Sequence, residues 1–251
     1  MKIGAQLYSV REFTQNIQDF ENTIKRIAAM GYDNVQVSGI GPIAVQDVAD
    51  ICSAFSIEIA ITHTPLDRII NDTAQVIADH ATMGAKYIGV GALPWGTGNK
   101  KEGYVNFVRD IAKASQAIKD AGYQFMYHNH DFEFTKFDGK TGMEYLMDSL
   151  PTAGFTLDTY WVQVGGGDPA FWIEKYAGRV DVIHIKDLVI VDGQQRMAEI
   201  YEGNLNWDAI FAAAKKAGVK YAMIEQDDCY GKDPFECLQL SLENTRSRGG
   251  F

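Results

Sequence analysis

The chain has 251 residues, 46% of them hydrophobic, which is enough to bury a large core and is a globular composition. Its 23 basic and 33 acidic residues leave a net charge of −10, which repels phosphate backbones and anionic membranes and argues against a nucleic-acid or membrane partner. The three cysteines (Cys52, Cys229, Cys237) lack CxxC spacing and the opening MKIGAQLYSVRE has no apolar leader, so reduced thiols and a cytoplasmic protein are expected.

The opening residues, 2–8, read as a strand. The first helix, near 15–30, places Ile17, Phe20, Ile24 and Ile27 on one face. One pattern then recurs: a helix-like segment, a glycine and a short apolar strand. It reads AAMGYDNVQV, ATMGAKYIGV, KDAGYQFMY, KYAGRVDVIHI and KKAGVKYAMI, around Gly31, Gly84, Gly122, Gly178 and Gly218. Each glycine suits the position just past a helix end, where the chain turns left-handed. The two longest intervals each contain one further apolar run, at 57–61 and 155–157.

The expected strands lie near 2–8, 34–38, 57–62, 86–90, 123–128, 155–158, 180–185 and 220–225. The expected helices lie near 15–30, 43–55, 66–83, 102–121, 141–149, 169–177, 206–217 and 234–246. Thr64-Pro65, Asp168-Pro169 and Asp233-Pro234 read as N-cap and first-turn pairs. Residues 187–204 form an insertion around the turn Asp192-Gly193. Strands joined through helices make parallel βαβ units. Eight of them without a linker predict an α/β fold, a closed (β/α)8 TIM barrel forming a single domain over 1–251, with an open doubly wound sheet as the alternative.

Such barrels carry their chemistry on the C-terminal ends of the strands. In order, those ends hold Gln6 and Tyr8, Gln36 and Ser38, His63, Gly89 and Gly91, His128 and His130, Asp158, His184 and Lys186, and Glu225 with Asp227. Four of the five histidines are among them; His80, inside a helix, reads as solvated. The densest end is YQFMYHNHDFEF, 123–134, where alternation puts His128 and His130 on one face and Asn129 on the other. Neighbouring strands sit about 4.8 Å apart, so His128, Asp158, His184 and Glu225 can converge on one ion. Two imidazoles and two carboxylates suit manganese, zinc, cobalt or iron better than calcium. The rival reading of Asp158 and Glu225 is a salt bridge at the rim. Gly89-Val90-Gly91 does not continue into a nucleotide fingerprint, and 165–167 is a glycine run ahead of a helix that reads as an anion site or a flexible turn. No GxSxG elbow and no reactive-looking cysteine are present, which disfavours nucleophilic hydrolysis.

QLYSVR at the first strand, YHNHDFEF at the fifth, LDTYWVQVGGGDP at the sixth, HIKD at the seventh, and EGNLNWDAI followed by IEQD resemble the sugar phosphate isomerase/epimerase family of xylose isomerase-like barrels, relatives of inosose dehydratase and the class II apurinic endonucleases. The resemblance runs from Gln6 to about residue 246. It implies a single divalent ion (manganese, zinc, cobalt, iron or magnesium) held by His128, Asp158, His184 and Glu225. It also implies a carbohydrate substrate and a homodimer or homotetramer. Many ketose epimerases of this kind carry a glutamate where this chain has His128 and use two metal-bound glutamates as paired bases. Here only Glu225 remains of that pair, and His130 is an alternative ligand.

The chemistry expected from the resemblance is proton abstraction next to a carbonyl, through an enediolate stabilised by the metal. Glu225 is then ligand and base, and His63, His130 and Glu133 are acid/base or hydroxyl-orienting candidates. Lys186 either holds a phosphate or enediolate oxygen, or pairs with Asp187 at the surface. Tyr8, Trp161 and Trp207 are sugar-stacking walls or simply packing. Returning the proton makes an isomerase or epimerase; expelling a β-substituent makes a dehydratase or a keto-sugar lyase. A non-catalytic sugar-binding barrel is the remaining class. Phosphodiester cleavage, which needs three metals and a basic face, is disfavoured by five histidines and the charge of −10.

Overall fold

The five glycines expected to end helices all have left-handed φ in this computed structural model, from +67° at Gly84 to +97° at Gly31. Each helix therefore breaks there and the chain returns to the sheet. Residues 1–94 and 96–248 are described. The strands are β1 (Lys2–Gln6), β2 (Asn34–Val37), β3 (Glu58–His63), β4 (Tyr87–Val90), β5 (Gln124–His128), β6 (Gly154–Asp158), β7 (Val182–Ile185) and β8 (Tyr221–Ile224). All pair in parallel in chain order, and β8 closes on β1 through Lys2 opposite Tyr221 and Ala5 opposite Ile224. The sheet is a closed barrel, so the open-sheet alternative falls.

The helices are α1 (Ile17–Ala29), α2 (Val45–Ala54), α3 (Leu66–Asn71), α4 (Thr73–Met83), α5 (Lys101–Asp120), α6 (Gly142–Ser149), α7 (Thr159–Val164), α8 (Pro169–Lys175), α9 (Trp207–Ala217) and α10 (Pro234–Arg248). Phe20, Ile24 and Ile27 of α1 are wholly buried, each contributing about 1.5–3 kcal/mol. Ile17, in the first turn, is half exposed, so the apolar face starts one turn later than its spacing implies. The single helix expected over 66–83 is two, broken at Asp72. Asp168 caps α8 by accepting the Ala170 amide at 2.9 Å, and Asp233 accepts that of Phe235 at 2.8 Å. Thr64 caps nothing; its hydroxyl pairs with that of Thr62.

His80 is buried rather than solvated. Its Nδ1–H donates to the Val76 carbonyl at 2.7 Å, and Nε2 accepts from the Thr62 hydroxyl at 2.8 Å. The opening strand is shorter than expected because Leu7–Phe13 forms a 3-10 helix. Helix α7 was not expected. The insertion after β7 is a hairpin, Asp187–Val191 paired antiparallel with Gln194–Ala198, and its turn residues Asp192 and Gly193 both have positive φ, as a tight hairpin requires. The three cysteines are free, and no helix among the described residues is long and apolar enough to cross a membrane.

Alternation along the strands divides the core in two. Val35, Tyr127, Phe155, Leu157, Ile183 and Ile185 face the helices. Met126, Val182 and Met223 join Ala60, Ile61 and Tyr87 inside the barrel. A step of two toward the C-terminal end carries Met126 to His128, Val182 to His184 and Met223 to Glu225, which places these polar side chains in the inward layer at the mouth.

Two buried carboxyl groups brace the loops above. Asp187 accepts the Trp207 indole N–H at 2.6 Å and the amides of Tyr201 (3.0 Å), Gly203 (3.0 Å) and Leu205 (3.2 Å), tying the end of the insertion to α9. Glu133, in the turn after β5, accepts the Tyr127 hydroxyl and the His130 amide. Burial pushes its carboxyl up to about 8 although both hydrogen bonds favour the charged form.

Two outcomes follow for stability. Asp187→Ala, which strands these four donors and the Leu188 amide, should cost about 2–4 kcal/mol in urea unfolding. Because Glu133 holds its proton more tightly folded than unfolded, it favours the folded state at low pH, and that contribution is lost as pH rises toward 8. The wild type should therefore lose more stability than Glu133→Gln between pH 5 and pH 8.5, and equal slopes for the two proteins would refute this.

Candidate functional site

His128 ends β5, Asp158 ends β6, His184 lies in β7 and Glu225 follows β8. One nitrogen or oxygen from each lies within 4.8 Å of the others, and all four residues are buried. His128 Nε2 is 3.2 Å from Asp158 Oδ2, and His184 Nδ1 is 2.7 Å from Glu225 Oε2 and 3.6 Å from Asp158 Oδ2.

The remaining ring nitrogens settle the tautomers. His128 Nδ1 is 2.8 Å from the Gly91 carbonyl and His184 Nε2 is 2.7 Å from the Gln36 side-chain oxygen. Both oxygens only accept, so these nitrogens carry the hydrogens, and the opposite ones turn lone pairs toward the carboxylates. His184 Nδ1 and Glu225 Oε2 have no aligned hydrogen-bond partner. Two lone-pair atoms 2.7 Å apart repel unless a proton or a cation lies between them. The donor set and these orphaned atoms fit a divalent ion of the borderline class.

Asp158 is positioned by its neighbours. Its amide donates to Asn129 Oδ1 at 3.0 Å, while its own Oδ1 caps α7 through the Trp161 amide at 3.0 Å, leaving Oδ2 for the site. Lys186, fully buried, brings its ammonium to 3.2 Å from Asp158, 3.0 Å from Glu225 and 3.0 Å from Asp227. It does not pair with Asp187, which alternation turns the other way. Burial opposes the ionisation of Asp158 and Glu225, but the Lys186 charge and the imidazoles hold both well below the carboxylate range. Asp227, farther out, is pushed up to about 7 by burial and by Glu225.

The other expected site residues divide. His63 joins the mouth: its ring lies 5.2 Å from that of His128 and 5.6 Å from that of His184, and Nδ1 meets the Ser38 hydroxyl at 3.2 Å. His130 stacks on Phe132 and meets the His128 ring edge-on at 4.9 Å, one step outside the group of four, to which His128 belongs. Trp161 stands beside His130 and 5.8 Å from the Lys186 ammonium. Tyr8 lies on the rim with the Arg11 guanidinium 4.4 Å over its ring. Two residues are elsewhere. Glu133 is bonded to Tyr127, which faces the helices, and Trp207 is packed against Phe211 and bonded to Asp187. In the glycine run, Gly165 and Gly167 lie against the Phe134 ring, where a Cβ would come within 2.4 and 3.0 Å.

Gln6, Gln36 and Asp227 were visible as polar residues at strand ends but received no role from the sequence. Their signal is parity: each lies two residues beyond an inward position, Gly4, Asn34 and Glu225 respectively.

A sequence profile described as the xylose isomerase-like TIM barrel matches residues 24–236. No curated protein matches significantly. Among solved structures, a sugar phosphate isomerase/epimerase from Parabacteroides distasonis superposes with a TM-score of 0.83 at 24% identity, covering 98% of this chain and 94% of that one. A D-allulose 3-epimerase from Methylomonas sp., in complex with D-allulose, gives 0.72 at 15% identity over 99% and 97%. A probable 3-DHS dehydratase from Bacillus anthracis gives 0.75 at 13% identity over 99% and 100%. At these identities the structures speak for the fold, and the profile match over most of the length places this chain in the family of xylose isomerase-like TIM barrels.

Proposed function

We propose that this chain is a divalent-metal-dependent sugar isomerase or epimerase that works by proton abstraction next to a carbonyl. The observation that carries this is the buried convergence of His128, Asp158, His184 and Glu225 with both histidine tautomers preset. Neighbours of the same fold that are named as epimerases support the reading.

These four residues would hold the ion, which would supply Lewis-acid polarisation of a substrate carbonyl. The protein groups do the rest. Gly91 and Gln36 fix the two imidazoles, so the ligands need no reorganisation when the site loads. His63 and Lys186 enter the mouth from β3 and from the end of β7, which puts an imidazole and an ammonium on different sides of it. His63 Nε2 has no partner in the protein and is the group placed to take a proton, although burial and the His128 and His184 imidazoles hold its pKa well below the ordinary histidine value; Lys186 Nζ is the donor placed to stabilise a developing oxyanion. Trp161 and Tyr8 form aromatic walls for a sugar ring.

Unlike groups on the two sides favour a second reading. Symmetrical epimerisation uses two similar bases, whereas an imidazole facing an ammonium suits abstraction of one proton and assisted loss of a β-oxygen substituent. That is a dehydratase or keto-sugar lyase, and one neighbour is named a probable dehydratase.

Calorimetry should give one manganese or zinc ion per chain, with affinity at least about 100-fold weaker in His184→Ala and Asp158→Ala. Manganese-loaded protein incubated in D2O with a panel of ketoses and 3-keto sugars should place deuterium on a carbon next to the carbonyl. An intact skeleton identifies the isomerase and an enone identifies the lyase. Metal binding without either product would leave a sugar-binding barrel.

A further inference from the structure

The metal ligands occupy one half of the mouth, from β5 to β8; the half formed by β1 and β2 carries two glutamines. Gln6 and Gln36 are directly paired across these strands and both are wholly buried. Gly4, whose Cβ would strike Asn34 and Met223, marks the inward parity of β1, so Gln6 two residues on faces the same interior as Gln36. The oxygen of each carboxamide is already used: that of Gln6 accepts the Tyr8 amide at 3.0 Å, and that of Gln36 accepts from His184 Nε2 at 2.7 Å. This fixes which way each NH2 points, and neither NH2 has a partner in the protein. Buried donors left unpaired are costly, and two side by side next to a catalytic mouth imply a ligand that pairs them.

Resting on the function proposed above, we infer that Gln6 and Gln36 form an amide clamp for two oxygens of an uncharged polyhydroxy ketone, with Gln36 also orienting His184. The clamp is neutral, as an uncharged substrate requires. A phosphate dianion would add charge beside three carboxylates that share one ammonium, Lys186, whereas hydroxyl and carbonyl oxygens add none. The clamp therefore suits the free sugar better than its phosphate ester.

The test uses the manganese-loaded chain in the D2O assay with each ketose supplied both free and as its phosphate ester. Exchange is expected with a free sugar. Gln6→Met and Gln36→Met should each raise its KM about tenfold or more, and only Gln36→Met should also weaken manganese binding, about tenfold by calorimetry. Gln6→Asn and Gln36→Asn keep the amide but withdraw it by one methylene; they should raise KM too and guard against a folding defect in the methionine variants. Exchange confined to phosphate esters, or a KM in the Gln6 variants within twofold of wild type, overturns the clamp while leaving the metal chemistry standing. Exchange with no sugar at all overturns the underlying function and the clamp with it.

Discussion

Three carboxylates and two imidazole lone pairs meet at the barrel mouth, where burial removes the screening that makes such crowding tolerable in water. The Lys186 ammonium, within 3.2 Å of Asp158, Glu225 and Asp227, is what holds them together in the protein alone. Its effect is graded. The two inner carboxylates are held well below their usual range, whereas Asp227, pressed by Glu225, is not. A lysine suits this place better than an arginine. Its compact charge sits on a flexible stem and can shift within the cluster as the cation count changes, while a rigid guanidinium fork would fix one geometry. With a divalent ion added, the two inner carboxylates and a partly protonated Asp227 would face three positive charges.

The scaffold achieves this with strand parity and two glycines. His128, His184 and Glu225 each lie one alternation beyond an apolar residue of the barrel interior, and Asp158 lies one beyond the buried Thr156, so packing below fixes aim above. Beside β5, β4 and the residue after it present Gly89 and Gly91. A Cβ on Gly89 would come within 2.3 Å of the Thr62 carbonyl and 3.2 Å of the His63 ring, so only glycine leaves His63 its place. The Gly91 carbonyl in turn orients His128. A single strand thus makes room for one imidazole and sets the tautomer of another.

The barrel was legible because its determinants are local and repeated. Helix-ending glycines recur at a spacing that only βα units explain, and all five turn left-handed as expected. The convergence of the four ligands was also legible as an expectation, since strand ends and parity can be read along the chain. The partners of those ligands were not. Gln36 lies 148 residues from His184, and a lone glutamine at a strand end looks like any polar residue. Glu133 and Trp207 drew attention as residue types, but each is claimed by a partner distant in the fold, Tyr127 across the turn and Asp187 across the insertion. His80 looked solvated because nothing in its helix shows that Thr62, on the outer face of β3, awaits its ring nitrogen.

The histidine at position 128 deserves to be read together with Lys186. A glutamate there would add a fourth carboxyl group beside Asp158 and Glu225, raising the carboxylates against one another. An imidazole with its hydrogen committed to Gly91 keeps a ligand at that corner without the charge. The mouth is therefore also asymmetric, with the imidazole of His63 and the ammonium of Lys186 as its unlike groups. Charge balance and the number of carboxylates facing the mouth are thus coupled through a single residue.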